Sequence, residues 1–181
     1  MHDWREYDQN PVTHSAAHHL VAIAELLDGY GYARVSDVAR TLGITRGSVS
    51  VTLKGLKARG LVTEDERRFL GLSPEGERIA RGVMAKKQVL KGLLMDLLGV
   101  PEEQADLDTC KIEHLVSDET AARASRALLF LRSGSRDAAR FVEALREFGR
   151  RGDAAGFPSE EVQELAREIA RETEHDAEGS R

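Results

Sequence analysis

With a single cysteine the chain cannot close an internal disulfide. Cys110 is therefore either a small buried apolar residue or a thiol kept reduced for chemistry. Prolines number 4 and aromatic residues make up 5% of the chain, which disfavours a β sandwich and points to a mainly α fold. No apolar run approaches the roughly 18 residues of a membrane span, and the opening MHDWREYDQN lacks the basic and apolar regions of a signal peptide, so no membrane and a cytoplasmic location are expected. Several signatures of catalysis are also missing. There is no phosphate-cradling glycine loop, nucleophile elbow, HExxH or CxxC, and the glycines fall at turns and helix ends, so the chain is not expected to be an enzyme.

What is present, in 181 residues, is 41% hydrophobic and 31% charged, enough for one real core and a small satellite. The formal net charge of −5 hides an uneven distribution. Between Arg34 and Gly60 six basic residues (Arg34, Arg40, Arg46, Lys54, Lys57, Arg59) face the single acid Asp37, whereas from Asp153 to Arg181 nine acids face three arginines. A basic module followed by an acidic tail is the electrostatic footprint of a DNA binder.

Hydrophobic spacing divides the chain into elements. Ser15 is placed to cap a first helix with Leu20, Ile23, Ala24 and Leu27 on one face, ended by Gly29 and Gly31. Ser36 is placed to cap a short helix over 37–42, Gly43 stops it, and Thr45 opens another whose Val49, Leu53 and Leu56 line one side. LVTE and FLGL read as two short strands joined by a polar turn that carries Arg67 and Arg68, which makes a wing. Ser73-Pro74-Glu75 starts a long helix that runs to Leu98. Further helices are expected over 108–116, 117–131 and 135–148, then a linker over 152–158 and a charged helix from Ser159. These elements group into a winged-helix module (1–73), a helical domain (74–151), and a linker with an acidic C-terminal helix (152–181).

The run DVARTLGITRGSVSVTLKGLKARGLV has the pattern of a helix-turn-helix, whose second helix lies in the major groove. The groove-facing positions are those off its apolar side: Thr45, Arg46, Ser48, Ser50, Val51, Thr52 and Lys54. Small hydroxyls allow close approach, Arg46 reaches a guanine edge or a phosphate, and Lys54 reaches a phosphate. Arg34 and Ser36 ahead of the pair, with Arg67 and Arg68 on the wing, complete the candidate DNA contacts. The alternative is a helical hairpin with a solvated basic face.

A second constellation is Cys110-Lys111-Ile112-Glu113-His114, with thiol, carboxylate and imidazole at i, i+3 and i+4. On a helix the three share a face and could supply three corners of a divalent transition-metal site. A fourth ligand must then come from elsewhere, and His14, His18 and His19 are the candidates. The alternative is a surface helix with a half-buried thiol.

In order and spacing, GYARVSDVARTLGITRGSVSVTLKGLKARGLV, LSPEGERIA and LLGVPEEQADLDTCKIEHLVSDE resemble the DtxR/MntR family of iron- and manganese-dependent transcriptional regulators. The likeness runs from about Ser15 to Leu131. It implies an N-terminal winged helix-turn-helix followed by a helical dimerisation domain, with a metal held between them, in a homodimer bound to double-stranded DNA at a palindromic operator. Carried over by position, Cys110, Glu113 and His114 match the family's ligand motif, and His18 falls where the first helix contributes its own ligand. Family members look to have methionine or aspartate there. A set of two nitrogens, one sulfur and one oxygen favours Fe(II), with Zn(II), Co(II) and Ni(II) close behind, over Mn(II), the family's other metal. Lys87 and Asp106 stand where the family places histidines of an ancillary site. An ion pair between them in place of a second metal is one expectation, and two merely exposed charges the other. The residues after Leu131 read as helices, so the SH3-like domain of longer members is not expected. Two other readings remain at this point: a winged-helix regulator that has lost metal control, and a metal- or partner-binding protein that does not read DNA.

Overall fold

The computed structural model describes residues 12–152, with Glu164 and Arg167 beyond them as isolated helical positions. The expected linker and the remainder of the acidic C-terminal helix lie outside the described residues. Contacts divide the chain into two compact units, 1–133 and 134–181. Among the described residues no helix is long and apolar enough to cross a membrane.

The first unit opens with α1 (His14–Tyr30), capped by the Thr13 hydroxyl, which accepts from the Ala16 amide. Ser15 was expected in that role and instead lies inside the first turn. The true start is one residue before His14, so His14 belongs to the helix. The short α2 (Val35–Leu42) starts directly after Arg34, which has extended backbone and caps with no side-chain hydrogen bond. Ser36, the expected cap, sits in the first turn of that helix. The reason lies in the wing: the Leu70 amide donates to the Ala33 carbonyl at 2.8 Å, which holds the chain extended up to Arg34 and lets the helix begin at once.

Gly43 closes α2 at φ +66°, a left-handed conformation that glycine adopts without the steric cost of a Cβ. Thr45 then caps α3 (Arg46–Ala58) through the Ser48 amide. Strands β1 (Val62–Glu64) and β2 (Leu70–Leu72) pair antiparallel with Thr63 opposite Gly71. One core joins these elements: Leu20 and Ile23 of α1, Val38 of α2, Val49, Leu53 and Leu56 of α3, and Leu61, Val62 and Leu70 around the wing. The expected winged helix-turn-helix is therefore present, and its core continues into the first half of α4 (Pro74–Asp96) through Ile79, Ala80 and Val83.

The mast of the unit is α4, capped by Ser73 with Pro74 at its first helical position. Along its length Arg81 meets Asp28 of α1, Lys91 meets Glu102 and Asp106 of α5 (Glu102–Ile112), and Lys86 meets Asp118 at the head of α6 (Asp118–Leu131). The segment expected as a helix over 108–116 begins earlier and ends earlier. Pro101 precedes the first turn, and Glu102 and Glu103 place negative charge at the positive end of the helix dipole. That start has no serine or threonine cap to betray it. On α6 the capping serine is Ser117 as expected. Leu128 is buried, in contact range of Gly92 on α4, so this part of the Ala121, Ala124, Leu128 and Leu131 face is intramolecular core, while Leu129 and Phe130 are exposed. The second unit contains α7 (Arg136–Gly152), with the Ala138 amide donating to the Ser135 hydroxyl.

The junction of wing and mast is tight. A Cβ added to Gly76 would fall 2.1 Å from the backbone oxygen of Leu61. Backbone cannot yield as a side-chain end does, so Gly76→Ala is expected to destabilise the unit by about 1–3 kcal/mol or more, as overpacking does. Denaturant unfolding checks this, with Gly82→Ala, where the same addition meets open space inside the same helix, as a control expected to stabilise by about 0.5–1 kcal/mol.

Candidate metal centre and DNA-reading face

His14 and His18 are four residues apart on α1, so they stack on one face of the helix, with ring centroids 4.4 Å apart. The last turn of α5 brings Cys110 to this face, its Sγ 3.4 Å from His18 Nε2. The helix ends at Ile112, so Glu113 is its C-cap, still in right-handed helical backbone, and His114 follows in the turn. The expected single helical face is thus the end of a helix plus a turn. It still gathers the three side chains toward α1. Glu113 Oε1 lies 3.7 Å from His18 Nε2, and His114 Nδ1 lies 3.2 Å from His14 Nδ1. His19, the third histidine candidate, does not join them. It is buried on another side of α1, with its Nδ1 2.6 Å from the Ser15 carbonyl.

The electrostatics suit a cation. Glu113 is only 2% exposed, and burial pushes its carboxyl above the usual range, an effect that the positive charge of Lys87 partly offsets. Burial first, then the neighbouring His14 ring and the charge of Lys87, pushes the His18 imidazole down, and burial pushes His114 down. Depressed imidazoles stay neutral with lone pairs available. Glu113 Oε2 is buried and has no hydrogen-bond partner among the described residues. Such an atom is costly to bury unless something else satisfies it. A divalent cation would do so, and a thiol, imidazoles and a carboxylate are its donors, so the residues present fit the metal that the sequence implies.

The ion pair expected between Lys87 and Asp106 is not what forms. Asp106 is held by Lys91, one turn farther along α4, at 2.8 Å, and Lys87 acts on it only at longer range. The same lysine acts on Glu113 and His18, so it faces the cluster rather than replacing a distant metal.

The candidate DNA-reading face is separate. Thr45, Arg46, Ser48, Ser50 and Lys54 are exposed, Val51 is 75% exposed and Thr52 is half-buried, on the side of α3 opposite its buried leucines. Thr45 and Ser48 hydroxyls bond each other at 2.9 Å, and the Thr52 hydroxyl donates to the Ser48 carbonyl. These groups hold the start of the helix, which leaves Arg46, Ser50 and Lys54 as its outward polar groups. Ser36 is half-buried in α2. Arg34 lies with its guanidinium 4.4 Å from the centre of the Phe69 ring. Arg67 and Arg68 are exposed at the wing tip, where Arg68 adopts φ +64° and pairs with Glu64.

Comparison with known proteins follows the same division. The profile of the MarR family matches residues 11–68, and that of the iron dependent repressor, metal binding and dimerisation domain matches residues 73–138. The HTH-type transcriptional regulator MntR of Lysinibacillus sphaericus is 33% identical over 105 residues, which cover 58% of this chain and 75% of that protein. This chain belongs to the DtxR/MntR family of metal-dependent transcriptional regulators. The transcriptional regulator MntR of Salmonella typhimurium is 36% identical over 98 residues, 54% of this chain and 62% of that one. The crystal structure of T. acidophilum IdeR superposes with a TM-score of 0.53 at 30% identity, covering 61% of this chain and 52% of that one, so the likeness spans about half of the solved relative.

For a DtxR/MntR member, the four ligand positions carried over from sequence, His18, Cys110, Glu113 and His114, are brought to one place. Sequence reasoning did not single out His14 from its neighbours. The signal was its spacing of four from His18, which became meaningful once the helix was known to start at His14.

Burying a carboxylate for a metal should cost the metal-free chain stability. In chelator, Glu113→Gln is expected to raise the melting temperature at pH 8, by about 2–4 °C for each kcal/mol of relief. Because the folded-state pKa of Glu113 is raised, the wild-type penalty operates at pH above that value. The gain should therefore shrink as pH falls toward the ordinary carboxylate range. Thermal scans of both proteins across pH check this; a lower melting temperature for the variant at pH 8 would contradict it.

Proposed function

We propose that this chain is a metal-dependent repressor of metal-ion homeostasis genes, acting in the cytoplasm as a homodimer on a palindromic operator. The metal is a divalent transition ion held by His18, Cys110, Glu113 and His114, with Fe(II) expected first and Mn(II), Zn(II) or Co(II) as alternatives. DNA is read by α3 and the wing through Arg46, Ser50 and Lys54, with Thr45, Ser48 and Thr52 shaping the helix start and Arg34, Ser36, Arg67 and Arg68 flanking it. The observation that carries this reading is the meeting of His18 with Cys110 and Glu113, which lie 92 and 95 residues later in the chain.

That meeting joins α1, which shares its core with the recognition helix, to α5 of the helical region. His18, Cys110, Glu113 and His114 would hold a cation there, which would neutralise the desolvated carboxylate and use the lone pairs of the two imidazoles. Each chain residue has its own part: His18 ties the winged helix, Cys110 and Glu113 tie the end of α5, and His114 ties the turn beyond. Holding α1 against α5 limits the angles that α3 can take in a dimer, where two recognition helices must meet major grooves about 34 Å apart. Operator binding and metal binding then strengthen each other by the same factor. With Lys87 facing the site and Asp106 held by Lys91, one ion per chain is expected. The exposed Leu129 and Phe130 on α6 are the apolar residues proposed for the dimer contact, in place of Leu128.

Sheared genomic DNA captured by the purified chain and sequenced, with chelator or with Fe(II), Mn(II) or Zn(II), tests the reading. One metal should enrich a palindrome that chelator releases. Identical sites with and without metal would leave a metal-independent winged-helix regulator, and no enrichment would remove DNA reading altogether. On the operator so found, Arg46→Ala is expected to weaken binding by about 1–3 kcal/mol, measured by fluorescence anisotropy at fixed salt. The double change Leu129→Glu with Phe130→Glu should convert dimer to monomer in sedimentation velocity while the helical circular dichroism is kept.

A further inference from the structure

His14 lies outside the four carried-over positions, and its role rests on the metal reading above. Thr13 caps α1, which makes His14 the first helical residue and sets its ring edge-on to that of His18. On its other side the His14 ring centroid is 4.6 Å from that of His114, with the two Nδ1 atoms 3.2 Å apart. One donor atom each from His14, His18 and Cys110 all lie within 4.8 Å of one another. Ligands around a tetrahedral ion, bonded at about 2.0–2.3 Å, sit about 3.3–3.8 Å apart, so small rotations of these side chains would bring the three donors onto one ion.

His14 is exposed and outside the hydrophobic core, so packing does not account for its position. It makes ring contacts with two of the four carried-over ligand residues and stands within donor range of a third. We propose that His14 is itself a metal ligand, so that α1 contributes two imidazoles one turn apart and the site prefers ions that seek nitrogen and sulfur. With His14, His18 and His114 beside Cys110, the available set holds three imidazoles and a thiolate. Such a set suits Zn(II) and Co(II), whereas Mn(II) is better served by oxygen donors. Glu113, more deeply buried, remains a carboxylate donor and supplies the charge that offsets the cation.

The test is titration of the 181-residue chain with Co(II) chloride, read by the thiolate-to-metal absorption in the near ultraviolet and the visible bands that report coordination, with Mn(II) binding followed by electron paramagnetic resonance. His14→Ala should keep the thiolate absorption, change the visible bands, and weaken Co(II) binding by more than the roughly 10–100-fold typical of residues that merely orient a ligand. Its Mn(II) affinity should change much less. His14→Asp, which keeps a donor at this position, should recover part of the binding and shift preference toward Mn(II). Circular dichroism of both variants should match the wild type. Unchanged Co(II) affinity and visible bands in His14→Ala would overturn the proposal. If Cys110→Ala then loses the thiolate absorption, the four-residue site stands without His14. A wild-type chain that binds neither Co(II) nor Mn(II) would end both readings.

Discussion

A carboxylate removed from water needs a cation or hydrogen-bond donors, and this fold buries Glu113 with one oxygen satisfied by neither among the described residues. Among the described residues, Lys87 is the cation that acts on it, and it offsets only part of the burial penalty. Around it stand imidazoles that burial keeps neutral and a single reduced thiol. Each group alone could be explained by ordinary packing. Together they form a cluster of donors with too little positive charge, and the proposed metal would supply that charge at the joint between α1 and α5.

The rest of the first unit places this imbalance where it has leverage. One helix, α4, carries the wing junction at its start, the α1 ion pair along its side and the α5 and α6 contacts beyond. The recognition helix is fixed by Val49, Leu53 and Leu56 in the same core that holds Leu20 and Ile23 of α1. A tie between α1 and the end of α5, as proposed, would therefore act on the candidate DNA-reading face through packed side chains rather than through a flexible link. Tight packing transmits small displacements because an interior at crystal-like density has no slack to absorb them.

Much of the architecture was legible before any coordinates. The helix-turn-helix, the wing and the long capped helix follow from local rules: apolar spacing at 3.6 residues, serine and threonine caps, and a glycine stop at Gly43. The errors were also local in kind. Ser15 and Ser36 look like caps, yet Thr13 and the extended Arg34 do the work, since a cap is chosen by where the preceding chain is held. The α5 start went unseen because Pro101 and two glutamates begin it without a hydroxyl cap.

For the functional site the division is sharper. The sequence by itself determined the donor types and the spacing of Cys110, Glu113 and His114, and it determined that histidines open the first helix. Which histidine faces the cluster depends on the rotation of α1 about its own axis, and that is decided by burying Leu20 and Ile23. The same rotation turns His19 inward and leaves His14 and His18 toward Cys110. The partner of Asp106 is likewise a matter of helix offset: one turn along α4 separates Lys87 from Lys91, and only the packing of α5 selects between them. Spacing along a chain specifies which groups can share a face, but which faces meet depends on contacts nearly a hundred residues apart.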